Sequence, residues 1–186
     1  MIVGQGFLPL GSKQLAQQAD ASKALIYAYF PTHYDLYNSL LRRELSGLKA
    51  SGLDVASGVK DLEQAAVLCA MLYFEHVAQS GPLLHILIAD RYMEGHIDAA
   101  LIGVLETVQE RFVRTARKTL PLSAPEIRAA LEMLVTIPEE AGSLVFHKEL
   151  DVATARKLCH ALVLSGLKGL RAPDSAIFGI EDVPRS

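Results

Sequence analysis

Residues 22–40 read SKALIYAYFPTHYDLYNSL, and the way this stretch folds decides how the rest of the chain is read. Ser22 is a residue type that caps helix N-termini, and Lys23–Tyr29 follows as a short helix. Pro31 ends it, because proline cannot continue the hydrogen-bond ladder and turns the residue before it away from helix. Thr32 then caps a longer helix to about Ala50, with Leu36, Leu40, Leu41, Leu45 and Leu48 at helical spacing. In the short helix, Leu25 and Ile26 are the expected core face. Ser22, Lys23, Ala24 and Ala28 are the expected exposed positions.

Upstream, Ser12–Ala19 reads as another short helix with Ser12 at its N-cap, and Asp20-Ala21 makes a tight turn. A short helix, a turn, a second short helix and a long helix is the arrangement of a helix-turn-helix unit, whose second helix presents its first residues to the major groove. Lys23 suits a phosphate or a guanine edge, and the Tyr27 and Tyr29 hydroxyls suit backbone phosphates. The alternative is that Tyr27, Tyr29 and Phe30 are aromatic core residues. Spacing alone leaves both readings open.

The remaining chain also reads as helix. Ser51–Gly58 is an expected loop, followed by helices Val59–Gln79, Leu83–Tyr92, His96–Thr119, Glu126–Lys148 and Val152–Leu170. A kink is expected near Pro138 and Gly142, and Asp151 is the expected cap of the last helix. No stretch alternates with the period of a strand. The fold class expected is all-α. Residues 1–38 form the helix-turn-helix domain, 39–172 a larger helical domain, and 173–186 an irregular tail.

Composition sets wider bounds. The chain has 186 residues, 51% of them hydrophobic, and a mean hydropathy of +0.25. That predicts a large core, with apolar surface left for a partner or ligand. The longest nearly uninterrupted apolar run, Ala65–Phe74, is too short to span a bilayer. With no secretory leader pattern and two isolated cysteines, Cys69 and Cys159, a reducing cytoplasmic setting without membrane association is expected. The net charge is −3, against a uniformly basic nucleic-acid binder. Residues 1–50 nevertheless carry five basic and three acidic side chains, a mildly positive head on an acidic body.

The segment Gly6–Leu36, GFLPLGSKQLAQQADASKALIYAYFPTHYDL, resembles the DNA-binding signature of tetracycline-repressor-like (TetR) transcriptional regulators. Leu15-Ala16 stands at that family's Ile-Ala pair, and Ala19-Asp20-Ala21-Ser22 at its Ala-Gly-Val-Ser. Leu25-Ile26-Tyr27 leads into Tyr29-Phe30, and Pro31–Leu36 closes the motif. Ser165–Leu170 is similar to the close of the family's last helix. Three positions depart from the pattern. Asp20 replaces the turn glycine, and His33 replaces a lysine that helps hold phosphate. The family's helix before Gly6-Phe7 is represented only by Met1–Val3, which implies either a longer natural chain or an incomplete head.

The resemblance implies a ligand-responsive transcriptional regulator, most often a repressor, that binds a pseudo-palindromic operator in double-stranded DNA as a homodimer. It implies DNA contacts from Ser12, Ser22, Lys23, Ala24, Tyr27, Tyr29 and His33. It also implies a small-molecule pocket in the central helices and a dimer interface on the last two. The polar groups set in apolar helices suggest a pocket of Cys69, Leu72, Tyr73, His76, Tyr92, Leu101, Leu105 and Phe112, suited to a mostly apolar effector. The alternative is that each polar side chain is satisfied locally. Dimer contacts are expected from Leu131, Leu134, Leu158, Ala161, Leu162 and Ser165, unless those faces pack inside one subunit. The histidines lie too far apart for a metal site with helical spacing. No nucleophile motif or phosphate loop is present, so neither catalysis nor a cofactor is expected. A TetR-like helical protein that has lost DNA binding and serves as a ligand-binding or interaction module is the alternative.

Overall fold

The computed structural model describes residues 1–171; the expected tail, 173–186, lies outside them. The described residues form ten α-helices and one 3-10 turn, with no strand: α1 (Ile2–Gln5), α2 (Ser12–Gln18), α3 (Lys23–Tyr29), α4 (His33–Ala50), α5 (Leu53–Ser57), α6 (Leu62–Ser80), α7 (Leu83–Ala89), the 3-10 turn Arg91–Met93, α8 (Ala99–Ala116), α9 (Ala124–Phe146) and α10 (Val152–Arg171). The all-α class read from the sequence is the observed one.

Local signals set most helix starts. Ser22 Oγ accepts the Leu25 N–H at 3.1 Å. Thr32 and Asp35 cap α4 reciprocally: Thr32 Oγ1 accepts the Asp35 N–H at 3.1 Å, and Asp35 Oδ2 accepts the Thr32 N–H at 2.9 Å. The turn before α3 places Asp20 at φ 47, in left-handed backbone where the resembled pattern has glycine. Ser12 is the first residue of α2, and Gly11 is its N-cap.

Several expected boundaries move. The expected loop 51–58 contains α5. Helix α6 begins at Leu62 because Asp61 Oδ1 accepts the Gln64 N–H at 2.8 Å. The expected helix Leu83–Tyr92 breaks at Asp90, whose carboxylate accepts the N–H groups of Tyr92 and, from across the fold, Leu8. The next helix begins at Ala99 rather than His96. Asn38 on α4 donates to the His96 carbonyl at 2.8 Å and accepts the Asp98 N–H at 2.9 Å, fixing that segment outside a helix. Pro138 lies inside α9, which runs unbroken from Ala124 to Phe146.

Two hydrophobic cores result. One joins α5, α6, the second half of α8, α9 and α10 around Phe74, Phe112, Ile127, Cys159 and Leu167. The other joins the N-terminal segment, α4, α7 and the start of α8 around Leu10, Tyr37, Leu41, Leu87, Met93 and Leu101. The second core draws on residues from both sides of position 38, among them Leu10, Tyr37, Leu41 and Leu87. Helices α6 and α9 approach closely where α9 carries Gly142. A Cβ there would lie 2.7 Å from Val77 Cβ and 2.8 Å from the Phe74 carbonyl.

Candidate functional site

The head is anchored to the body by backbone groups. Leu10 donates its N–H to the buried Tyr37 hydroxyl oxygen at 2.8 Å, and Leu8 donates to Asp90 at 2.8 Å. Burial pushes the Tyr37 phenol pKa up, so it stays protonated. On this base α2 and α3 project outward. Helix α3 has no buried residue: Leu25 is 49% exposed, Tyr27 40% and Tyr29 75%. Leu25 therefore does not supply a core face, because no described element packs over it; Ile26 is half-buried.

Three of the expected DNA-contacting residues meet. Ser12 Oγ lies 2.8 Å from the Tyr27 hydroxyl and 3.3 Å from His33 Nε2, and the Tyr27 and His33 rings stack at 6.1 Å between centroids. The cluster joins the first turn of α2, the middle of α3 and the first turn of α4. Ser22, Lys23, Ala24 and Tyr29 are exposed on α3 and its cap. From His33 the aromatic contacts continue to Tyr37, then to Tyr92 and Tyr34, and from Tyr34 to His96, whose ring stacks on it at 3.8 Å. An aromatic chain thus runs from α3 to the segment before α8.

Seven of the eight expected pocket residues divide between the two cores, and His76 belongs to neither. Cys69 and Phe112 are buried in the first, and Leu72 packs against it. Leu101 is buried in the second, with Tyr73, Tyr92 and Leu105 against it. Tyr73 donates its hydroxyl to Glu139 at 3.2 Å. Burial pushes the Cys69 thiol pKa up to about 12 and that of Cys159 to about 11, which leaves both protonated and unreactive.

A cavity of about 350 Å³ opens instead between α4 and α6, lined by Arg43, Glu44, Gly47, Ser51, Leu72, Glu75, His76, Gln79 and Ser80. Only Leu72 and His76 of the expected pocket residues border it, and seven of its nine lining residues carry polar side chains. Glu44 is 4% exposed. Its Oε1 accepts two hydrogen bonds from Arg43, at 2.8 and 3.1 Å. Its Oε2 lies 3.0 Å from His76 Nε2, off the line of a hydrogen bond, so that this buried nitrogen has no hydrogen-bond partner. The sequence signal for this site is Glu44 itself, a carboxylate set between Leu41, Leu45 and Leu48 on the apolar stripe of α4.

The expected dimer residues also divide. Leu131 and Leu134 pack against the first core of their own subunit, and Leu134 Cδ2 would lie 2.7 Å from a Cβ at Gly166 of α10. Leu158 is 48% exposed and Leu162 54%; with exposed Ala161 and Ser165 they form an outward stripe on α10. Among the described residues no helix is long and apolar enough to cross a membrane, and no group of three or more His, Cys, Asp or Glu side chains is placed to hold a metal ion. No protein-family model matches the chain, and no curated protein matches it.

Proposed function

We propose that the chain is a DNA-binding transcriptional regulator of TetR-like design, a repressor released from its operator by a small effector. The observation that carries this reading is the Ser12–Tyr27–His33 cluster, set beside an α3 that has no buried residue. Two hydroxyls, an imidazole and the first turns of two helices converge where a DNA phosphate would sit, and Lys23 adds a cation on the adjoining surface. Two copies, joined through α10, would present their α3 helices to successive major grooves of a pseudo-palindromic site. Effector binding in the body would favour a head spacing that fits DNA less well.

The test is selection of bound duplexes from a random pool, followed by affinity against salt. Lys23→Ala should weaken binding to all sequences alike and lower the salt slope by about one. Tyr27→Phe should weaken it about fivefold to tenfold by loss of one phosphate hydrogen bond. His33→Lys should tighten it, since a permanent cation replaces an imidazole beside the phosphate. If no duplex is enriched and no salt-sensitive binding appears, the reading fails.

A second reading, a helical ligand-binding or interaction module without DNA contact, is favoured by the exposure of Leu25 and the negative charge of Asp20 in the turn. It predicts effector binding with no enrichment of any duplex.

A further inference from the structure

We propose that the cavity between α4 and α6 binds a small, uncharged, polyhydroxylated molecule of the sugar or polyol class. That there is a binding site stands on the cavity alone; that its occupant acts as the effector rests on the regulator reading above.

The first argument is Gly47. It sits within the long helix α4 and at the cavity wall. Glycine inside a helix is less favourable than alanine. Here neither backbone nor packing asks for it. A Cβ at this position would meet only His76 Cε1, at 3.8 Å, an ordinary contact. Gly47 is exposed at the rim of this half-open space, and a side chain there would extend over it. Arg43, Gly47 and Ser51 recur at four-residue spacing, as do Leu72, His76 and Ser80, so one face of each helix is given over to this space.

The second argument is charge. Arg43 is bonded to Glu44, and Glu75 accepts a hydrogen bond from Arg156 of α10 at 3.0 Å. The charged groups at the wall are thus neutralised within the protein. A charged ligand would compete with one of these pairs, whereas an uncharged one would not. The lining offers carboxylate lone pairs, a Gln79 amide that both donates and accepts, and the Ser51 and Ser80 hydroxyls. A hydroxyl group also donates and accepts, so several on one small ring meet such a wall without a fixed orientation. Leu72 supplies apolar contact for a C–H face. His76 Nε2 lies buried 3.0 Å from the Glu44 carboxylate without a hydrogen bond to it, and a ligand hydroxyl within reach of the ring would give it one. A volume of about 350 Å³ accommodates a single hexose or inositol ring.

The test is titration of the full chain with individual hexoses, inositol and linear polyols, followed by the His76 ring resonances and the thermal midpoint. Tetramethylammonium and a short-chain carboxylate serve as charged probes of similar size. At least one hydroxylated compound should shift His76 and raise the midpoint, with saturation. Gly47→Leu extends over the cavity from a position where a side chain is tolerated, and it should weaken that binding by at least about tenfold. Gly47→Ala, which should raise the midpoint of the free protein, reports that substitution at this position leaves the fold intact. The proposal is overturned if none of the hydroxylated compounds shifts His76, if a charged probe does so more strongly, or if Gly47→Leu binds undiminished. Binding without any DNA association would leave the site standing and remove the regulator reading; DNA association without binding would do the reverse.

Discussion

His85 on α7 places Nδ1 3.1 Å from Oε2 of Glu139 on α9, and the same oxygen accepts the Tyr73 hydroxyl of α6. One carboxylate thereby ties α7, which belongs to the N-terminal core, to two helices of the C-terminal core. The hydrogen bond to Glu139 holds the His85 pKa above its ordinary value of 6.5, against an opposing effect of burial. A pKa raised on folding contributes stability that is full below the unfolded value and is lost as pH rises through the folded value. His85→Asn should therefore cost about 0.5 kcal/mol near pH 6, since the ring is half exposed, and close to nothing near pH 8.5. Urea denaturation of both proteins across that range checks it.

Tyr37 is fully buried, and its hydroxyl oxygen accepts the Leu10 N–H. Tyr37→Phe leaves that donor buried without a partner, at a cost of about 1–3 kcal/mol. The loss should appear first in the head. Amide exchange across residues 8–30 should accelerate before exchange in α6 or α9 does.

Gly142 and Gly47 should respond oppositely to alanine. At 142 a methyl group would collide with Val77 and the Phe74 carbonyl, forcing α9 away from α6. Gly142→Ala should destabilise by about 1–3 kcal/mol, whereas Gly47→Ala should stabilise by about 0.5–1 kcal/mol. Thermal unfolding of the two variants against the parent decides the matter.

Leu158 and Leu162 face outward on α10 and take no part in the core of their own subunit. Leu158→Glu combined with Leu162→Glu should leave the helical circular-dichroism spectrum unchanged and halve the mass measured by sedimentation equilibrium. The same changes at Leu131 and Leu134, which pack inside the subunit, should instead unfold it. A parent chain that sediments as a monomer would remove α10 as a dimer face.

The helices were legible where their signals are local. Ser22, Pro31 and the Thr32–Asp35 pair each act on backbone within four residues of their own position, and their effect on its geometry hardly depends on the rest of the chain. Ser123 and Glu126 cap α9 in the same reciprocal way, a signal present in the sequence at the connector before Glu126. The start of α8 was not legible, because Asn38, sixty residues away from Asp98, holds the segment before it.

The sequence by itself determined an all-helical chain, the order of its longer helices, and the succession of α2, α3 and α4 that carries Ser12, Tyr27 and His33. Capping, proline stops and apolar periodicity are properties of neighbouring residues, so they survive without knowledge of the fold. Only the tertiary structure decided that Leu25 lies exposed and that seven of the eight pocket candidates split between two cores. It alone set the open space between Gly47 and His76. Those outcomes depend on which helix faces meet, and a face is buried or left open by a partner distant in sequence.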